Sequence, residues 1–164
     1  RTLGSSMNPS DRTPGADAAE WAGRLLVVLQ FGLLALLGWR AMVAPSAISV
    51  QVVSLLAASG LLALWALAAN RPGNFNIRPT PRHGGTLITN GPYRWIRHPM
   101  YTSVLLAAAA AAWKSFETAD TLLWSALLGV LLAKATIEER ALMRRFTDYQ
   151  DYRVRTTRFV PWLV

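Results

Sequence analysis

Residues 47–69 read AISVQVVSLLAASGLLALWALAA, a stretch of 23 residues without a single charged side chain. The hydrocarbon core of a bilayer is about 30 Å thick, and a helix of about 20 apolar residues crosses it. A helix of this length on the surface of a soluble protein would carry polar and charged residues on its solvent-facing side. We therefore predict a transmembrane helix over 47–69, and this prediction decides the fold class.

Three further apolar runs predict helices over 22–43, 100–116 and 119–137. In the first run the two charged residues, Arg24 and Arg40, lie near the ends, where their side chains can reach the membrane surface. The sequence therefore predicts an all-α integral membrane protein with four transmembrane helices. The last two form a helical hairpin, and a C-terminal helix follows them.

The composition excludes several other classes of protein. The 164 residues are 52% hydrophobic and only 16% charged, with a formal net charge of +8 and no cysteine. A soluble domain has about 25% charged residues, and a disulfide scaffold needs cysteines. With two histidines in the chain we expect no metal site. Nucleic acid would be the usual partner of a soluble basic protein, but we expect none, because the arginines collect on one membrane face.

The order of charges along the chain predicts the orientation. Segment 70–100 contains five arginines and no acidic residue, and segment 134–164 contains seven basic and four acidic residues. The turn at 114–120 has a net charge of −1, and the turn at 44–47 has none. Because cytoplasmic segments are enriched in Lys and Arg, both basic segments and both termini are expected to be cytoplasmic. The Ala- and Arg-rich composition favours a bacterial inner membrane.

The chain is expected to contain one domain after a leader. Residues 1–20 show no apolar periodicity and predict a flexible leader. Within it, 1–6 resemble a cloning remnant ahead of a native start at Met7. A single membrane domain is expected over 21–164, and the motifs described below lie within 71–164.

The loop before the third helix carries the residues that could bind a ligand or take part in catalysis. Asn90-Gly91-Pro92 predicts a backbone turn, and His98-Pro99 predicts the start of the helix, since proline fits the first helical position. We expect free amides at Met100, Tyr101 and Thr102, with side-chain donors from Arg97 and His98, to form an anion-binding corner. Binding of lipid headgroups would explain this composition nearly as well as catalysis.

A pair of acidic residues, Glu138 and Glu139, follows the fourth span. Neighbouring side chains on a helix point about 100° apart, so only one of the two is expected to face the His98 corner. Glu138 is the better candidate because it shares a helix face with Lys134. The alternative is a plain ion pair between Lys134 and Glu138, which are four residues apart.

These residues carry a resemblance. The motifs follow one another in this order: the run Gly85-Thr-Leu-Ile-Thr-Asn-Gly-Pro-Tyr-Arg-Trp-Ile-Arg-His-Pro-Met-Tyr101, then Glu138-Glu139-Arg-Ala-Leu, Tyr149, Tyr152 and Pro161-Trp162. Together they resemble the isoprenylcysteine carboxyl methyltransferase family. The resemblance covers roughly residues 71–164, and the first two helices match only as hydrophobic spans. It implies an integral membrane enzyme that uses S-adenosylmethionine without a Rossmann fold and releases S-adenosylhomocysteine.

The resemblance also implies roles for individual residues. The adenosine pocket would be lined by Gly85, Thr86, Leu87 and Ile88, with Tyr93 packed on the cofactor. The methionine end would be held by His98, Pro99, Met100 and Tyr101, with further polar contacts from Glu138 and Arg78. On the substrate side stand Glu139 and Lys134. The eukaryotic enzymes have an arginine at the Lys134 position, and lysine lacks its bidentate grip on a carboxylate, which puts a carboxylate substrate in doubt.

The predicted function is methyl transfer to a lipophilic acceptor that enters from the bilayer. An isoprenylcysteine-like carboxylate, a phospholipid amine or another amine or thiol all remain open as acceptors, as does a non-catalytic lipid-binding protein. Arg97, His98 and Tyr101 are candidates for catalytic roles, although binding roles are favoured. Five C-terminal arginines are expected to contact membrane lipid headgroups: Arg144, Arg145, Arg153, Arg155 and Arg158.

Overall fold

The computed structural model describes residues 14–70 and 87–161, with side chains from Trp21 onward, and within these ranges the chain is almost entirely helical. The helices are α1 (Pro14–Val43), α2 (Val50–Ala69), α3 (Pro99–Ser115), α4 (Thr118–Arg145) and α5 (Tyr149–Arg155). A short 3-10 helix over Gly91–Arg94 precedes α3.

Helix boundaries depart from the predicted ones where local signals favour helix. Helix α1 begins at Pro14, inside the predicted leader, because proline suits a helix start and the alanine-rich residues after it are strong helix formers. Helix α2 begins at Val50 because the Ser49 hydroxyl accepts a bond from the Val52 amide at 3.4 Å. Helix α4 continues to Arg145, well past the predicted end of its span.

Within the described residues, three helices are long and apolar enough to cross a membrane: α1 over Trp21–Val43, α2, and α4. Helix α3 has 17 residues and is shorter than these three, so its role as a fourth span stays a prediction, as does the orientation. Large apolar side chains cover the outer faces of α1 and α2, as a lipid environment requires: Leu25, Val28, Phe31, Leu36, Val53, Leu56, Leu61 and Leu64.

Helix α3 lies at the centre and packs against α1, α2 and α4. The buried core joins the helices through Leu37 of α1, Leu105 of α3 and Leu127 of α4. Between α2 and α3 the Ser59 hydroxyl donates to the Ser103 carbonyl at 2.7 Å. Serine at such a contact lets helices approach closely in a membrane.

One end of the bundle is fastened by an ion-pair group that we call the Arg40 cluster: Arg40, Glu117 and Asp120. Arg40 donates to the buried Asp120 carboxylate at 2.5 Å and to Glu117 at 2.6 Å. Beside it, the Lys114 ammonium donates to the carbonyl of Ala41 at 2.6 Å, near the end of α1. A cation at a helix C-terminus satisfies carbonyls that have no partner within the helix.

Candidate functional site

The opposite end of the bundle brings the start of α3, the end of α4 and the segment after α5 together. The backbone just before α3 pairs in parallel with the backbone just after α5. The Arg97 amide donates to the Thr157 carbonyl at 2.8 Å, and the His98 amide donates to the Arg158 carbonyl at 3.0 Å. This pairing, which the sequence did not predict, fixes His98 directly ahead of Pro99.

The predicted turn at Asn90-Gly91-Pro92 is present, and it brings the loop against the end of α2. Gly91 has a φ of +57°, in the left-handed region that favours glycine. A Cβ atom at Gly91 would lie 2.7 Å from the Ala69 Cβ. Glycine is therefore required both by the backbone and by the close approach to α2, and the 3-10 helix that starts here positions Tyr93.

Glu139 of α4 is the hub of the site. Its buried carboxylate accepts from Arg97 Nε at 2.8 Å, lies 3.2 Å from His98 Nε2, and accepts from Arg158 Nη2 at 3.2 Å. Arg97 and His98 are also buried, so these charges are largely removed from water. We call Arg97, His98, Glu139 and Arg158 the Glu139 cluster.

Arg97 also binds the segment that follows α5. Its Nη1 donates to the Arg153 carbonyl at 3.1 Å and to the Thr156 carbonyl. The planar guanidinium suits this role because it offers several donors in a fixed geometry. Arg97 therefore joins the carboxylate of α4 to the C-terminal segment.

Glu138 lies beside the hub but remains accessible. Its Oε2 accepts from the Tyr101 hydroxyl at 3.1 Å and lies 3.7 Å from His98 Nδ1, while its side chain is 32% exposed. The rings of His98 and Tyr101 stack at 5.2 Å with an interplanar angle of 4°, and Phe159 packs edge-on against both. A partly exposed carboxylate beside stacked aromatic rings is a suitable environment for a cationic ligand.

The expectation that only one glutamate faces His98 is wrong. Glu139 lies against His98 Nε2, and Glu138 lies near Nδ1 of the same ring. The two nitrogens lie on different edges of the imidazole, so one ring can meet both side chains even though they leave the helix about 100° apart.

The predicted anion-binding corner also differs from the structure. The amides of Tyr101 and Thr102 are not free, because both donate to the His98 carbonyl, at 3.0 and 3.1 Å. The side chains of Arg97 and His98 are engaged by Glu139. The carboxylate that occupies this corner thus comes from the protein itself, and the group left accessible to a ligand is acidic.

Lys134 is buried and does not form the plain ion pair considered as the alternative. Its ammonium donates to Gln30 Oε1 of α1 at 2.5 Å and lies 5.3 Å from the centre of the Tyr101 ring. No contact within 4.0 Å joins it to Glu138, although both are described. A lysine placed in an apolar region needs polar partners, and here they come from other helices.

Tyrosines complete the site on the side of the 3-10 helix. The Tyr152 hydroxyl donates to the Tyr93 carbonyl at 2.7 Å. Burial, together with the Glu138 carboxylate, raises the pKa of Tyr93 to about 12. Burial likewise raises the pKa of Tyr149 and of Tyr152. The Tyr149 hydroxyl is buried without a hydrogen-bond partner among the residues that the structure describes.

The remaining predicted residues fall into two groups. Leu87 and Ile88 are described and partly exposed ahead of the 3-10 helix, while Pro99 and Met100 form the first turn of α3. Gly85, Thr86 and Arg78 lie outside the described residues, so their predicted contacts with a cofactor stay predictions. Within the described ranges, no three His, Asp or Glu side chains are grouped so that they could hold a metal ion.

Sequence reasoning missed three contributors to the site. Arg158 was assigned to lipid headgroups, yet it binds Glu139. Phe159 was given no role in the site, yet its carbonyl accepts from the Thr102 hydroxyl at 2.7 Å. Gln30 gave a usable signal, since it is a polar residue in an apolar run, but nothing in the sequence named its partner.

The model of the isoprenylcysteine carboxyl methyltransferase (ICMT) family matches residues 48–144, which is more than half of the chain. The match includes α2, which sequence reasoning treated only as a hydrophobic span, and it ends near the end of α4.

Two curated bacterial proteins are also similar. The chain is 36% identical over 84 residues to the cobalt-zinc-cadmium resistance protein CzcN of Cupriavidus metallidurans, a match over 50% of this chain and 38% of that protein. It is 36% identical over 86 residues to the nickel-cobalt-cadmium resistance protein NccN of Alcaligenes xylosoxydans xylosoxydans, over 50% of this chain and 39% of that protein. The matched region thus spans well under half the length of these relatives.

Proposed function

The chain belongs to the isoprenylcysteine carboxyl methyltransferase family, a family of membrane methyltransferases, and on this basis we propose that it transfers a methyl group from S-adenosylmethionine to a lipophilic acceptor. The observation that carries the proposal is the partly exposed Glu138 carboxylate beside the stacked rings of His98 and Tyr101. S-adenosylmethionine carries an ammonium and a sulfonium, which are the charges that such a surface attracts.

The residues of the site fit the cofactor through their charge. Glu138 would accept from the amino group, since its only hydrogen bond among the described residues comes from the Tyr101 hydroxyl and leaves acceptor positions open. The Glu139 cluster would hold His98 in place, and His98 would in turn hold the ring of Tyr101 that stacks against it. When bound, the cofactor supplies an electrophilic methyl group whose transfer to a lone pair of the acceptor leaves neutral S-adenosylhomocysteine.

The chain itself would accelerate transfer mainly by positioning and by excluding water. The departing thioether is neutral, so no side chain has to protonate it. Arg97 and His98 are engaged with Glu139, and we assign them positioning and binding roles rather than proton transfer. An amine acceptor would additionally have to lose a proton, whereas a carboxylate or thiolate would not.

The acceptor would reach the site from the bilayer. The outer faces of α1 and α2 are apolar, which favours lateral entry of a lipophilic molecule between helices. Lys134 and Glu139 are the proposed contacts on the acceptor side. We also propose that the Glu139 end faces the cytoplasm, because the described parts of the two basic segments, 87–100 and 134–161, lie at that end.

Binding of radiolabelled S-adenosylmethionine to the detergent-purified full chain tests the proposal. We expect saturable binding, its loss in Glu138→Ala, and normal binding in Glu117→Ala, a matched carboxylate variant at the other end of the bundle. Methyl transfer should then be measured with prenyl-cysteine analogues, aminophospholipids and lipophilic thiols. Absence of binding in the unmodified chain would favour the non-catalytic lipid-binding alternative and would overturn the proposal.

A further inference from the structure

A buried ammonium group, that of Lys134, lies one helical turn from Glu138 on α4. Lys134 is 2% exposed, and the acceptor within hydrogen-bond distance of its Nζ is Gln30 Oε1, at 2.5 Å. Gln30 is itself buried and belongs to α1, far from Lys134 in sequence. Ionisable residues buried within membrane helices are costly and usually serve a function.

The arrangement keeps two opposite charges apart on one helix. Lys134 and Glu138 are one turn apart on α4, a spacing at which side chains of opposite charge usually meet. Tyr101 lies between them instead, with its ring centre 5.3 Å from Lys134 Nζ and its hydroxyl 3.1 Å from Glu138 Oε2. Gln30 draws the ammonium toward α1, away from the carboxylate.

We infer that Gln30 is a positioning residue, which holds Lys134 away from Glu138 and so keeps the Glu138 carboxylate available to the amino group of S-adenosylmethionine. This inference rests on the proposed function. Without the Gln30 acceptor, the Lys134 ammonium would pair with Glu138 and compete with the cofactor for the same oxygen atoms. A neutral amide suits this task, because it accepts a hydrogen bond from the ammonium without cancelling its charge.

The test is the affinity of the purified full chain for S-adenosylmethionine in three forms. Gln30→Met, which has a similar size but no hydrogen-bond acceptor of comparable strength, should weaken binding about tenfold, as expected when a hydrogen bond to a charged group is lost. Adding Lys134→Met to that variant should restore the affinity, since no ammonium is left to compete. Lys134→Met would also relieve a purely structural defect, because it removes the unpaired ammonium. Thermal unfolding of the three forms therefore accompanies the binding measurement: a positioning role weakens binding in Gln30→Met while the protein stays fully folded at the assay temperature, and a purely structural role does not.

Spectroscopy follows the ammonium itself without the cofactor. The chain contains two lysines, Lys114 and Lys134, so ¹⁵N-lysine labelling gives two side-chain signals, assigned by the loss of one in Lys134→Met. Gln30→Met should shift the Lys134 signal, and Glu138→Gln in that background should shift it again, whereas Glu138→Gln alone should change it less. If Gln30→Met does not fold, Gln30→Asn, with its shorter reach, replaces it in both measurements.

The outcomes separate the two proposals. Binding by the unmodified chain with unchanged affinity in Gln30→Met, or weakened affinity that Lys134→Met does not restore, overturns the role of Gln30 and leaves the proposed function standing. Absence of binding in the unmodified chain overturns the proposed function and, with it, the role assigned to Gln30.

Discussion

The two ends of the bundle are both closed by ion pairs, but they are built in opposite ways. In the Arg40 cluster one partly exposed arginine binds two carboxylates, those of Glu117 and Asp120, and Glu117 is 66% exposed. In the Glu139 cluster one buried carboxylate serves two arginines and a histidine. The first joins α1 to the start of α4, and although Asp120 is buried, Arg40 and Glu117 have access to solvent. The second fixes a C-terminal segment against α3 and stands beside an accessible acid, Glu138.

This difference indicates which end is specialised for binding. Removing charges from water is costly and is repaid only by good geometry, so a buried cluster is maintained where a fixed arrangement matters. All four tyrosines of the chain lie at the Glu139 end: Tyr93, Tyr101, Tyr149 and Tyr152. At the Arg40 end, Lys114 caps the C-terminus of α1, and the contacts there hold the helices together without forming a binding site.

The largest expected effect comes from removing the hub. Glu139→Ala leaves the buried Arg97 guanidinium without its carboxylate and should lower the free energy of unfolding by about 3 to 5 kcal/mol, the usual cost of an unpaired buried charge. Asp120→Ala should cost clearly less, because Arg40 keeps Glu117 and has access to solvent. Unfolding in detergent, followed by tryptophan fluorescence, measures both variants.

Binding of S-adenosylmethionine also distinguishes the two ends of the bundle. Asp120→Ala should bind S-adenosylmethionine normally, whereas Glu139→Ala should not, because His98 loses the partner that holds it. Equal losses of stability in Asp120→Ala and Glu139→Ala, or loss of binding in Asp120→Ala, would contradict the distinction between a structural end and a binding end of the bundle.

The sequence was sufficient for the helical fold and for bringing the acidic pair close to His98, because apolar runs set helix lengths and a short connection between α3 and α4 reverses the chain direction. It was insufficient for the contact of both glutamates with one imidazole ring. It was insufficient for Arg158, since a basic residue after a helix is equally typical of a headgroup contact. The Gln30 contact to Lys134 was also beyond prediction. A pair so distant in sequence is set by how helices rotate against one another, which no local pattern encodes.

The second effect tests the turn that joins the site to α2. Gly91→Ala should destabilise the protein by about 2 kcal/mol or more, because alanine disfavours the left-handed backbone and its Cβ would clash with Ala69. Gly60→Ala is the matched control, as a Cβ there meets no atom within 4 Å and alanine favours helix. Thermal unfolding of both variants in the same detergent is the measurement. Similar midpoints for the two would show that the close approach of the turn to α2 contributes no stability.

The smallest effect is confined to alkaline pH and to the Glu139 end. The pKa of Tyr93 is raised by burial and by Glu138 to about 12, above the value of about 10 for a solvated tyrosine. A raised pKa means that the folded state favours the protonated phenol. The contribution of Tyr93 to stability is therefore complete below pH 10 and is lost as the pH rises through 12.

Tyr93→Phe has no phenol to ionise, so it should lose less stability than the unmodified chain across this interval, while both should respond alike near pH 7. Chemical unfolding at a series of pH values measures this, with tyrosinate absorbance recorded in parallel. If the two proteins lose the same stability between pH 10 and 12, Tyr93 ionises in the folded state as freely as in water, and the Glu139 end is more open to solvent than its geometry indicates.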